Sequence, residues 1–155
     1  MHKNKMEVFN VSNNFLGSNP IIPAESVVET ANFYKEKLGF SINGIWENPS
    51  YGVVSRGDAV IEFGEGRKEY AGSGICIVRV EDADTVYNEW KQKEVEFVGD
   101  FAERDYGSKD FRVKDNNGNI LIVGHALENK NELLKQGKVA EPGAQKRSLC
   151  SLGRP

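Results

Sequence analysis

Glu62 stands in the apolar run SRGDAVIEFG, Ser55 to Gly64. If that run is a strand, side chains alternate, so Val60, Glu62 and Gly64 share one face and Ala59, Ile61 and Phe63 the other. A carboxylate there could ligate a metal, serve as a general base, form the anionic wall of a pocket, or meet solvent as most charged side chains do. A centre of iron, zinc or nickel needs three or more nitrogen or oxygen donors, and imidazole is the usual one. The chain has two histidines, His2 near the amino terminus and His125 at the end of an apolar run, where a hydrogen-bonded or exposed strand end is the simpler account. The sequence contains no G-x-S-x-G, no phosphate loop and no recognisable Cys–His pattern. Arg56-Gly57-Asp58 is expected to be a tight turn, not an adhesion motif.

Bulk properties narrow the function classes. With 155 residues, 39% apolar and 28% charged, the chain makes one domain or two half-domains sharing a core. A net charge of −3 argues against general nucleic-acid binding and favours cationic or neutral guests. Cys76 sits in an apolar run and Cys150 in a polar one, so the two form no disulfide framework and fit the reducing cytoplasm. No run approaches the ~20 apolar residues of a membrane span, and the first residues lack the apolar region of a signal peptide.

The elements that must position Glu62 occur twice. In residues 17–66, SNPIIP predicts a strand and VVETANFYKEKLGF a helix with Val27, Ala31, Tyr34 and Leu38 inward. Ser26 and Glu29 supply a capping box, and Gly39 the stop. FSINGIW, YGVVSR and DAVIEFG follow as strands. In residues 72–126 the order returns: GICIVRV, a helix in DADTVYNEWKQK with Val86 and Trp90 inward, then VEFVGDF, KDFRVKD and NILIVGH, with DNNGN closing the last hairpin. Each copy is βαβββ, an internal repeat. EGRKEYAGSG is the joint. Outside the repeats, residues 1–16 read as a flexible arm, 127–137 as a short helix and 138–155 as a disordered tail.

This order, with FYKEKLGF in the first helix and the closing FRVKDNNGNILIV, resembles the vicinal oxygen chelate superfamily, which includes glyoxalase I, extradiol dioxygenases, and fosfomycin- and bleomycin-resistance proteins. The resemblance implies an α+β fold of two βαβββ modules whose curved mixed sheets surround a cleft. The superfamily's metalloenzymes carry ligands at symmetric strand positions. Glu62 matches one, but Asn19, Ile75 and Ile122 stand at the other three, and isoleucine offers no donor atom. The bleomycin-resistance branch dispenses with those ligands and captures its antibiotic in clefts of a homodimer, often with an exchanged N-terminal strand, the flat bithiazole stacking on aromatic rings.

By that resemblance RDYGSKDFRVKDNNGN places Tyr106 at the stacking aromatic, Asp110 at the acid and Phe111 beside it, and NPSYGVVSRGD places Tyr51 opposite. Phe63 matches a neighbour of the pocket. Trp46 joins the set from its own position before the loop. The expected protein is a metal-free, cofactor-free homodimer that binds a planar, cationic, antibiotic-like molecule through Glu62, Tyr51, Tyr106, Asp110, Phe111, Trp46 and Phe63. The alternatives are a glyoxalase- or dioxygenase-type enzyme with an atypical site, Glu62 acting as base, and a dimeric protein whose groove takes a metabolite or peptide.

Overall fold

The computed structural model describes residues 17–127. The expected arm at 1–16, the expected helix at 127–137 beyond its first residue, and the expected tail lie outside the described residues. The first module runs β1 (Ile21–Pro23), α1 (Val27–Glu36), β2 (Ser41–Glu47), β3 (Ser50–Arg56) and β4 (Ala59–Gly64). The second runs β5 (Ile75–Arg79), α2 (Ala83–Lys91), β6 (Glu96–Phe97), β7 (Ala102–Arg104), β8 (Ser108–Lys114) and β9 (Ile120–Ala126). Strand order is β1-β4-β3-β2 in one sheet and β5-β9-β8-β6 in the other, so each module lays its first strand parallel to its last. The duplicated α+β architecture expected from the sequence is the architecture present.

Local chemistry sets the boundaries. Ser26 Oγ accepts from the Glu29 N–H at 3.3 Å to start α1, and Gly39, at φ 74°, takes the left-handed turn that ends it. Gly57, at φ 57°, makes the Arg56–Asp58 turn between β3 and β4. One expectation needs correction. VEFVGDF does not form a single strand, because Gly99 adopts φ 73° and turns the chain away between β6 and β7, which pair separately with β8. The joint also holds more structure than its glycines suggest, with a 3-10 helix over Glu65–Tyr70.

The helices cover one face of the sheets. Val27, Ala31, Tyr34 and Leu38 are fully buried, in one core with Ile22, Val54, Ile61 and Phe63. Burying each large side chain contributes about 1.5–3 kcal/mol. The approach of α1 to the sheet is close enough that a Cβ on Gly52 would lie 2.6 Å from Val27 Cγ1. In the second module Phe111 sits among Tyr87, Trp90, Phe97 and Phe101, with ring centroids 5.3–5.8 Å away.

Polar groups fasten the two modules together. Asn119 is 1% exposed and accepts at Oδ1 from the Gly72 and Gly74 N–H groups at 3.0 and 2.9 Å. Its Nδ2 donates to Pro23 O and Asp115 Oδ2, both at 2.9 Å. Tyr34 donates to Asp115 Oδ2 at 3.3 Å. Burial raises the Asp115 carboxyl pKa despite these bonds. No described helix is long and apolar enough to cross a membrane.

Candidate binding site

With Ile61 and Phe63 turned into the core, strand alternation directs Val60 and Glu62 to the sheet face away from the helices. On neighbouring β3, Val53 pairs with Glu62 and Tyr51 with Gly64, so Tyr51 and Glu62 are diagonal neighbours on that face. The Tyr51 hydroxyl donates to Glu62 Oε2. Asn19, from the lead-in to β1, donates through Nδ2 to Glu62 Oε1 at 3.0 Å. Both carboxylate oxygens are therefore held by groups of the chain itself. The bond to Glu62 raises the Tyr51 phenol pKa, and desolvation adds to it.

Trp46 extends this cluster. It pairs with Tyr51 across β2 and β3, the rings 6.1 Å apart and tilted by 46°, and it is 52% exposed. Its ring crosses Gly44, where a Cβ would come within 2.4 Å of it, so only glycine leaves room for this placement. The result is an open aromatic surface with a carboxylate at its edge.

A second cluster forms in the other module. Tyr106 is 70% exposed and donates to Asp110 Oδ2 at 2.6 Å, while Arg104 Nε donates to Oδ1 at 2.9 Å. Desolvation pushes the Asp110 carboxyl up, but the hydrogen bonds from Tyr106 and Arg104 and the charges of Arg104 and Arg112 outweigh it, leaving its pKa below the ordinary value. The Tyr106 phenol is raised by the same bond. Among the described residues no hydrogen bond, ion pair or ring contact joins this cluster to Tyr51, Glu62 and Trp46.

The register relates four positions across the repeat. Glu62 pairs with Ile21, and Asn19 lies two residues before Ile21; Ile122 pairs with Ile77, and Ile75 lies two residues before Ile77. One module thus places an amide and a carboxylate where the other places two hydrocarbons. The described residues contain no group of three or more His, Cys, Asp and Glu able to hold a metal ion. The donor set does not fit a divalent metal, because the single carboxylate already accepts from Asn19 and Tyr51 and the isoleucines supply nothing. His125 is engaged elsewhere, its Nδ1 accepting from the Ala83 N–H at 2.9 Å at the start of α2.

Between β4 and β5 lies a cavity of about 420 Å³ bordered by Asn19, Val60, Cys76, Ile77 and Arg79, a volume in the range of small-molecule sites, though Glu62, Tyr51 and Trp46 do not line it. Around it Ile21, Ile75 and Ile77 are 63–69% exposed, an unusual apolar display for one chain alone.

The family model of the Glyoxalase/Bleomycin resistance protein/Dioxygenase superfamily matches residues 19–123. The chain belongs to this superfamily. Solved structures of similar fold include a bleomycin resistance determinant encoded on the transposon Tn5, 23% identical, covering 73% of this chain and 98% of that one with a TM-score of 0.60. The bleomycin-binding protein from bleomycin-producing Streptomyces verticillus, complexed with copper(II)-bleomycin, is 23% identical and covers 76% of this chain and 100% of that one, also with a TM-score of 0.60. A glyoxalase/bleomycin resistance protein/dioxygenase from Nocardioides is 15% identical, covering 88% and 92% with a TM-score of 0.59. A search of curated proteins found no match.

Within this superfamily fold the expected site residues divide. Glu62, Tyr51 and Trp46 form one cluster, and Tyr106 and Asp110 another. Phe63 and Phe111, expected beside the pocket, are 0% and 1% exposed on the helix side of their strands, so they support the sheets from behind and border neither cluster. Sequence reasoning missed two partners. Asn19 reads in sequence only as a vacant metal position, although an amide can hold a carboxylate, and Arg104, six residues before Asp110, reaches it across the β7–β8 hairpin.

Proposed function

We propose that this protein captures a planar, cationic, antibiotic-like small molecule, without altering it, in a cleft between two copies of the chain in the cytoplasm. The observation that carries the proposal is the Trp46–Tyr51–Glu62 cluster: an exposed indole and a half-buried phenol ring beside it able to stack on a flat guest, with a fixed carboxylate to meet its positive charge. Ring stacking and a cation near a carboxylate or ring each contribute on the order of 1 kcal/mol. The exposed Ile21, Ile75 and Ile77 support pairing of two copies, which would remove them from water and bring an aromatic cluster of one chain toward the other. Bleomycin-binding relatives of the same fold make bleomycin the first guest to try.

The test is a fluorescence titration with metal-free bleomycin alongside a determination of size in solution. Trp46 is half exposed and Trp90 buried, so saturable quenching in the unmodified chain that disappears in Trp46→Phe assigns the guest to the proposed face. One guest per chain in a dimer is expected. Absence of quenching in a sound dimer removes bleomycin as the guest.

A second reading rests on the Tyr51–Glu62 hydrogen bond, which sets a carboxylate that could act as a general base beside a phenol that donates to it. Metal analysis of protein purified without chelator separates the two. Stoichiometric nickel, zinc, iron or manganese would overturn capture and favour an enzyme with an atypical site.

A further inference from the structure

Strand pairing sets Trp46, Tyr51, Gly64 and Pro23 in one row across β2, β3, β4 and β1. A neighbouring row carries Glu62 opposite Ile21. Gly64, two residues past Glu62 on β4, shares its face and brings no side chain, so the row has a gap immediately beside Tyr51. Gly64 also borders a groove of about 530 Å³, together with Ile21, Pro23, Gly66, Tyr70 and Ser73. The groove therefore begins where the aromatic cluster ends.

Two features say what the groove suits. The first is its lining. The described residues that border it carry no charge, and the Ile21 and Tyr70 side chains stand 63% and 53% exposed. The nearest acid in the chain, Glu65, alternates to the other face, where its Oε1 accepts from the Val27 N–H at the start of α1 at 2.9 Å. Ser73 spends its hydroxyl proton on the Tyr70 carbonyl at 2.6 Å. What is left for a guest is hydrocarbon, which selects apolar material by burial. The second feature is the glycine itself. Gly64 has φ −142°, extended backbone open to any residue, and its pairing with β3 runs without a bulge. A Cβ there would meet only Ile21 Cγ2, at 4.0 Å, whereas one on Gly44 or Gly52 would clash at 2.4 or 2.6 Å. Neither backbone nor packing demands this glycine, and the remaining reason for one in a strand is the close approach of another molecule.

We infer that the groove extends the proposed capture site and takes an aliphatic arm of the guest, so that the captured class is a flat aromatic cation with an alkyl substituent at its charged atom. The inference rests on the capture reading and adds the chemistry of the guest's second part. With the ring against Tyr51 and Trp46 and the cationic nitrogen at Glu62, a substituent on that nitrogen starts about 5 Å, one strand spacing, from the Ile21 backbone. It crosses Gly64, where nothing obstructs it, and replaces water against Ile21 and the Tyr70 ring.

1-Methylquinolinium and 1-hexylquinolinium share ring and charge and differ only in the alkyl arm. Each is titrated into the full chain with Trp46 fluorescence as the signal and size in solution measured alongside. The hexyl compound is expected to bind about tenfold tighter than the methyl compound, or more. In Gly64→Leu, whose side chain occupies the groove, the ratio of the two affinities should fall to near one. If that variant does not fold, Tyr70→Ala, which removes an exposed wall of the groove, makes the same comparison. Nuclear Overhauser contacts from the hexyl protons to the Tyr70 ring are expected in the unmodified chain. A ratio near one in the unmodified chain, or a ratio undiminished in folded Gly64→Leu or Tyr70→Ala, would overturn the inference and leave capture standing. Saturable quenching by neither compound would remove capture of a flat cation and this inference with it. A dimer that dissociates in Gly64→Leu would assign the groove to the second copy and overturn the inference as well.

Discussion

Arg56 at the end of β3 forks onto Glu89 of α2, with Nη1–Oε1 at 3.2 Å and Nη2–Oε2 at 2.6 Å, and thereby ties one module to the other. The same guanidinium donates to the Leu38 carbonyl at 2.6 Å, just past the end of α1. A planar fork does this and a point charge does not.

Arg56→Lys should therefore lower stability although it conserves charge. About a third of each side chain is exposed, which screens the pair, so a loss of about 1 kcal/mol is expected, seen as a midpoint lowered by a few degrees. Thermal unfolding measures it. An unchanged midpoint would show that the modules are held together without this pair.

The pH dependence of the pair has a definite sign. The hydrogen bond from Arg56 is the main cause that lowers the Glu89 carboxyl pKa, with desolvation opposing. Its contribution is present above the unfolded carboxylate value of about 4.3 and is lost as pH falls through the lower folded value. Glu89→Gln should flatten that part of the acid unfolding curve.

Asp115 acts in the opposite sense. Burial raises its pKa in the fold, so it stabilises most when protonated, below the unfolded value of about 3.9, and that contribution is lost as pH rises through the folded value. Asn119→Asp would set a second carboxylate against Asp115 Oδ2 and the Pro23 carbonyl, where an amide now donates to both. A loss of about 2–4 kcal/mol is expected, smaller at pH 4 than at pH 7, from denaturant unfolding at the two values.

On the proposed binding face, Glu62→Gln should weaken a cationic guest by about 1–3 kcal/mol with little change in the unfolding midpoint. Titration calorimetry on both proteins would show it. Unchanged affinity with reduced stability would instead assign Glu62 a purely structural part.

Gly52 offers a packing test. A methyl group there meets Val27 Cγ1 at 2.6 Å, so Gly52→Ala must displace α1 from the sheet, at about 1–3 kcal/mol. Gly57→Ala, where a Cβ meets nothing within 4 Å, isolates the separate effect of a positive φ.

Much of the fold was legible because its signals are local. Val27, Ala31, Tyr34 and Leu38 repeat at helical spacing and all four are buried, and the alternation that turned Ile61 inward also turned Glu62 outward. The same alternation sends Phe63 inward, so its expected place at the pocket came from likeness to relatives and conflicted with the strand's own pattern. Gly99 broke a run that looked continuous, since a single glycine does not reveal in sequence whether its φ will be positive. The contacts among the expected residues were not legible in sequence. The Asn19–Glu62 bond spans 43 positions and depends on β1 lying beside β4.

The double hold on Glu62, by Asn19 at one oxygen and Tyr51 at the other, has a thermodynamic consequence. A free glutamate must give up rotamer entropy when it fixes a partner, whereas this one has given it up during folding. In the proposed capture, association would then freeze little of the protein at this point, and differences among guests should appear chiefly in how slowly they leave.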